Sequence, residues 1–246
     1  MKPHRLLTSL AVALSLLRLS VAAESIADAY YASPVNRYGH FALGPPHEYA
    51  RLIVMTGSGR ELMLQLAEDE VFEDLVPRRV KLAPDVPDEL LTIVCHRRRG
   101  ARLVLVRPGS NAWRSVPNRQ IGTPMRWLNP VDVADLDGDG RAEIAAVFTP
   151  HIGGMLKVYR RSGEELIEIA ALADFSNLVY GSNELALSTP MSIGGRMQLV
   201  VPDATRRFLR IVALEGERLV ETGAARWSRP SPAPFKPSRR AQFRSV

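Results

Sequence analysis

Leu156–Ala170 reads LKVYRRSGEELIEIA, and Leu209–Gly223 reads LRIVALEGERLVETG. The two segments align without a gap: Leu156 falls on Leu209, Val158 on Ile211, Gly163 on Gly216, Leu166 on Leu219 and Glu168 on Glu221. Each has an alternating run, a turn of Gly and charge, and a second alternating run. Period-two alternation around a short Gly turn predicts a β-hairpin. Two looser copies are read as further hairpins, at Leu103–Val116 (LVLVRPGSNAWRSV) and Leu62–Leu75 (LMLQLAEDEVFEDL).

Upstream of each hairpin lies a short apolar run: Leu52–Met55, Leu90–Val94, Glu143–Val147 and Gln198–Val201. These runs are rich in Val, Ile and Leu, as buried strands are. No long stretch of helical period occurs between residues 24 and 226. The expectation is an all-β chain in which a strand, a loop and a hairpin recur four times. With one inner strand added, each unit is a four-stranded sheet, and repetition near fifty residues favours a β-propeller over a β-sandwich. The count is four to five blades. Residues 24–50 either supply a closing strand or leave the ring incomplete.

One loop stands out. Residues 135–144 read DLDGDGRAEI, immediately before the EIAAV run. Asp135, Asp137, Asp139 and Glu143 place side-chain oxygens at positions 1, 3, 5 and 9, and Gly140 at position 6 allows a sharp turn. Calcium takes six to eight hard oxygen ligands, so this spacing predicts one Ca2+ site, with the Arg141 carbonyl as a further oxygen. Crowded carboxylates repel one another by roughly 1–4 kcal/mol per close pair, and a divalent cation reverses that sign. An EF-hand would need a bidentate Glu at position 12, where Ala146 stands.

The stretch VDVADLDGDGRAEIAAV resembles an FG-GAP or VCBS repeat, the calcium-loop blade also found in integrin α-subunit propellers. The resemblance implies that the loop joins the first and second strands of a blade. It also implies that Asp135, Asp137, Asp139, Glu143 and the Arg141 carbonyl hold the ion. It covers about one blade closely, since the full motif occurs once.

Charge and composition bound the rest. The chain has 246 residues, 46% hydrophobic and 24% charged, which excludes a disordered chain and a multi-span membrane protein. Its formal charge is +6. Lys2, Arg5 and Arg18 lie in the first 23 residues, and Arg229, Lys236, Arg239, Arg240 and Arg244 in the last twenty, so the remainder is mildly acidic. This distribution argues against nucleic-acid binding. Residues 1–23 have a basic start, an apolar run from Leu6 to Leu17 and small residues at Val21–Ala23, the pattern of a signal peptide. The run is too short to span a bilayer, so the expected location is secreted or periplasmic, with no membrane span after the leader is removed. Residues 227–246, rich in Pro, Ser and Arg, are expected to form a disordered tail.

The loops between second and third strands collect Arg97, Arg98, Arg99, His151, Arg206 and Arg207. They suggest a basic face for a protein or an anionic glycan, opposite an acidic face that includes Glu68, Asp69 and Glu70. No HExxH, GxSxG or Walker loop is present. The lone cysteine, Cys95, reads as a buried small residue. The expectation is a binding or scaffold module. The alternative is a propeller-fold hydrolase or lyase acting on polysaccharide or another anionic substrate; His40 and His151, in loops near Gly, could be catalytic, but a lone loop histidine is usually polar surface, and no catalytic residue is assigned.

Overall fold

In the computed structural model, residues 24–109 and 112–227 are described. Residues 1–23, read above as a signal peptide, and the tail beyond 227 lie outside them. Sixteen strands follow in order: β1 (Ile26–Pro34), β2 (Glu48–Thr56), β3 (Glu61–Gln65), β4 (Glu70–Glu73), β5 (Arg78–Val80), β6 (Glu89–His96), β7 (Gly100–Pro108), β8 (Trp113–Pro117), β9 (Leu128–Ala134), β10 (Glu143–Phe148), β11 (Gly154–Ser162), β12 (Glu165–Phe175), β13 (Thr189–Ile193), β14 (Arg196–Pro202), β15 (Phe208–Glu215) and β16 (Arg218–Arg226). One 3-10 turn, Pro150–Ile152, separates β10 from β11. No α-helix occurs among the described residues.

The strands form three antiparallel sheets, none closed on itself. The second has the order β12-β11-β10-β9 and the third β13-β14-β15-β16, each a four-stranded meander. The first is eight-stranded and joins a β5-to-β8 meander to the N-terminal strands. Four separate four-stranded sheets were expected; the first two are fused because β4 pairs with both β2 and β6.

Three of the four hairpins form as read: β7–β8, β11–β12 and β15–β16. In the two aligned ones, the loops are Gly163-Glu164 and Gly216-Glu217, and the glycines have φ of 60° and 61°. Gly in a left-handed conformation at the first of two loop residues is the type II′ hairpin requirement. The likeness extends to an irregularity. Register slips between Val158 and Tyr159 in one hairpin and between Ile211 and Val212 in the other, at aligned positions.

The fourth hairpin is a correction. Leu62–Leu75 does not fold back on itself; β3 and β4 both lie along β2, through Leu52↔Leu64 and Tyr49↔Phe72. The intervening LAED carries no Gly to reverse the chain, so the segment runs as one interrupted strand along the same partner.

The cores explain why the inner strands lack polar alternation. Side chains alternate across a strand. In β10, Ile144, Ala146 and Phe148 enter the core shared with the first sheet, and Ala145 and Val147 enter the core shared with the third. In β6, Leu91, Ile93 and Cys95 point into that same first core, while Leu90 and Val94 enter a core under β1, β2 and β4. The second sheet is therefore packed on both faces, and its central strand β10 is buried throughout. Single bridges, Asn118↔Leu166 and Phe175↔Asp203, tie the neighbouring sheets edge to edge.

Candidate metal centre and the basic loops

The acidic loop connects β9 to β10, the first and second strands of its sheet in chain order. It is pinned at three points. Leu136 is buried in the core between the second and third sheets. The Ala142 amide donates to the Leu82 carbonyl at 2.7 Å. Glu143, with no solvent exposure, begins β10.

Within this frame the Asp135 carboxylate accepts backbone N–H bonds from Gly138 (2.7 Å), Asp139 (3.1 Å) and Gly140 (2.9 Å). Gly140 has φ of 85°, the left-handed turn its position requires. Asp135, Asp137 and Glu143 each place an oxygen so that all lie within 4.8 Å of one another. Three hard carboxylate donors around one point can hold a metal ion, and oxygen-only donors suit calcium. Asp139 is outside this group; its Oδ1 accepts the Arg141 amide at 2.7 Å. The Arg141 side chain is exposed and lines a small pocket with Arg107, Arg160 and Glu89.

Sequence reasoning missed Arg160. Its Nη2 donates to Asp137 Oδ2 at 2.5 Å and to Glu143 Oε1 at 2.9 Å, and its Nε donates to Glu143 Oε1 at 3.0 Å. The guanidinium thus bridges two of the three converging carboxylates. The register gives the reason: Ile144 pairs with Tyr159, which sets Arg160 across from Glu143. Burial pushes the Glu143 carboxyl above its ordinary range, and Asp137 adds to that, while the Leu136 amide and Arg160 pull it down. Glu143 is held twice, by the Leu136 amide at 3.0 Å and by Arg160.

Arg97, Arg98 and Arg99 are exposed on the turn between β6 and β7. Arg206 donates to Ser176 Oγ at 2.7 Å, and Arg207 Nε to Thr205 Oγ1 at 3.4 Å. His151 lies in the 3-10 turn, half-buried, its ring centroid 5.7 Å from that of His40. Contacts link these loops in sequence. The Arg99 carbonyl accepts the Gly122 amide at 2.8 Å, and the Arg126 carbonyl accepts the Ala101 amide at 2.9 Å. Burial depresses the His151 imidazole pKa, with His40 and then Arg126 adding to it, and a Cβ added at Gly153 would lie 4.0 Å from that of Ala204.

The division into a basic and an acidic face needs correcting at its first acidic turn. Glu70 pairs with His96 across β4 and β6, Asp69 Oδ2 lies 3.0 Å from His96 Nε2, and Arg102 pairs with Glu70 at 2.8 Å. The 68–70 acids therefore lie against the arginine turn, because their segment runs along β6 instead of forming a hairpin tip.

A groove of about 880 Å³ runs between the residues after β8 and the β10–β12 strands, lined by Asn118, Gln120, Phe148, Lys157 and Tyr159 among others. None of the arginines named from sequence lines it. Cys95 is fully buried, its Sγ 3.3 Å from Glu73 Oε2, and burial pushes its thiol well up. No helix among the described residues is long and apolar enough to cross a membrane.

No protein-family model matches the chain, and comparison with curated proteins returns no match.

Proposed function

We propose that this protein is an exported, calcium-stabilised binding module of propeller type, presenting its arginine-bearing loops to a protein or an anionic glycan. The observation that carries the reading is the convergence of Asp135, Asp137 and Glu143 in a loop whose sequence resembles an FG-GAP repeat. The successive packing of four-stranded meanders, with β10 feeding two cores, supports blade-like stacking. In this reading Asp135, Asp137 and Glu143 hold the ion, and Asp139 and the Arg141 carbonyl close on it as the loop tightens. Calcium outside the cell is abundant enough for a site of modest affinity. An ion that binds only the folded chain stabilises it by mass action.

Thermal unfolding in millimolar calcium and in chelator, beside Asp137→Ala, tests the metal. A transition raised by calcium in the parent and not in the variant is expected. Equal midpoints in both buffers for the parent would remove calcium from the reading and leave Arg160 as the loop's cation. For the ligand, replacing Arg97, Arg98 and Arg99 with Ser should weaken binding to immobilised anionic glycans. Unchanged retention would discard the arginine turn as the contact.

A further inference from the structure

We propose that His40 and His151 together form a second metal site, for a borderline divalent ion of the Zn2+ or Cu2+ class, independent of the acidic loop and of the proposed function. The two residues are 111 positions apart in sequence and meet where the loop after β1 approaches the 3-10 turn. Their ring centroids are 5.7 Å apart and the rings are inclined at 52°. Zinc binds imidazole nitrogen at about 2.0–2.1 Å, which sets each ring centroid roughly 3.2 Å from the metal and two such centroids roughly 5.2–5.6 Å apart at tetrahedral to trigonal angles. The observed spacing lies within a few tenths of an ångström of that range.

The outer atoms support the same reading. His40 Nδ1 is 3.2 Å from Glu73 Oε1 and 3.3 Å from Oε2, which leaves Nε2 as its outward nitrogen. A carboxylate behind an imidazole fixes its tautomer and orientation, the arrangement that backs metal-binding histidines. Glu73 is itself fully buried and held by the Ala42 amide at 2.7 Å. The loop carrying His40 is fixed by the Glu48 carboxylate, which accepts the amides of Tyr38, Gly39 and His40 at 3.0–3.2 Å.

On the other ring, His151 Nδ1 is buried without a hydrogen-bond partner. A buried polar atom left unpaired requires an explanation, and a shared ion supplies one. Tyr180 walls the pair, its ring 5.9 Å from His40 and 5.6 Å from His151, and its hydroxyl donates to the His40 carbonyl at 2.6 Å. Two non-glycine residues beside the histidines are left-handed, Phe41 at φ 49° and Thr149 at φ 49°. Such strain persists where surrounding structure enforces it, commonly at ligand clamps. Two imidazoles leave the remaining coordination positions of the ion to water.

The test titrates the metal-free protein with Zn2+ against a chromophoric chelator and records the Cu2+ electron paramagnetic resonance spectrum of the parent. One equivalent of Zn2+ is expected, weakened at least tenfold in His151→Gln and retained in Asp137→Ala, with nitrogen splitting from two imidazoles on Cu2+. Zinc binding unchanged by His151→Gln, zinc binding lost in Asp137→Ala, no binding at all, or copper coupled to fewer than two nitrogens would each overturn the site. The copper spectrum uses the unaltered chain, so it decides the matter even where the His151 variant does not fold.

Discussion

Arg160 shows how much one side chain changes the meaning of an acidic loop. It neutralises Asp137 and Glu143 from the adjacent strand, so the loop has a cation of its own. Arg160→Gln leaves the buried Glu143 carboxylate with the Leu136 amide as its remaining donor; a buried charge losing a partner costs about 1–3 kcal/mol. The variant should unfold at lower temperature in chelator, and calcium should raise its midpoint by more than it raises the parent's. An equal calcium shift in both would show that guanidinium and metal do not compete. The acidic spacing was legible in sequence because it is local. Arg160 was not, since its place opposite Glu143 depends on the β10–β11 register. The pairing of His40 with Glu73 was equally hidden, because 33 residues separate them.

Among elements, the turn between β14 and β15 gives a clean pH test. The Asp203 carboxylate accepts the Thr205 hydroxyl at 2.6 Å and the Arg207 and Phe208 amides at 2.8 and 3.0 Å. Burial pushes its pKa up, but these bonds outweigh that and hold it below the ordinary 3.8. A carboxylate depressed in the folded state contributes stability that is present at neutral pH and lost as pH falls through the folded value. Asp203→Ala should therefore cost roughly 1 kcal/mol at pH 7. The gap between parent and variant in thermal unfolding should narrow below about pH 3.8. A gap that stays constant into strong acid would mean the turn does not depend on the ionised carboxylate. At this scale the sequence reading held wherever a Gly turn reversed the chain between alternating runs, as at Gly163 and Gly216. It failed at Leu62–Leu75, where LAED has no Gly to reverse the chain and local pattern could not reveal which neighbour the strand would join. It also passed over β5, whose three residues are too few to show a period.

For the molecule as a whole, Trp127 is the side chain on which the first two sheets converge. It precedes β9, has no exposure, and donates from Nε1 to the Glu73 carbonyl at 2.9 Å. The core around it takes residues from β6 and β7 on one side and from β10 on the other. Trp127→Ala should cost about 3–5 kcal/mol, the range for removing a large aromatic from a core. Denaturant unfolding should show that loss in one cooperative step, with both sheets affected. A separate early transition would mean that the sheets melt independently. The double burial of β10 has a further consequence for a chain made from its N-terminus. Until residues 189–226 have left the ribosome, Val147, Leu156 and Val158 have no third sheet against which to pack. A nascent chain paused after Phe175 would show an apolar face to the surrounding solvent, and holding that face apart from other chains becomes a task for chaperones.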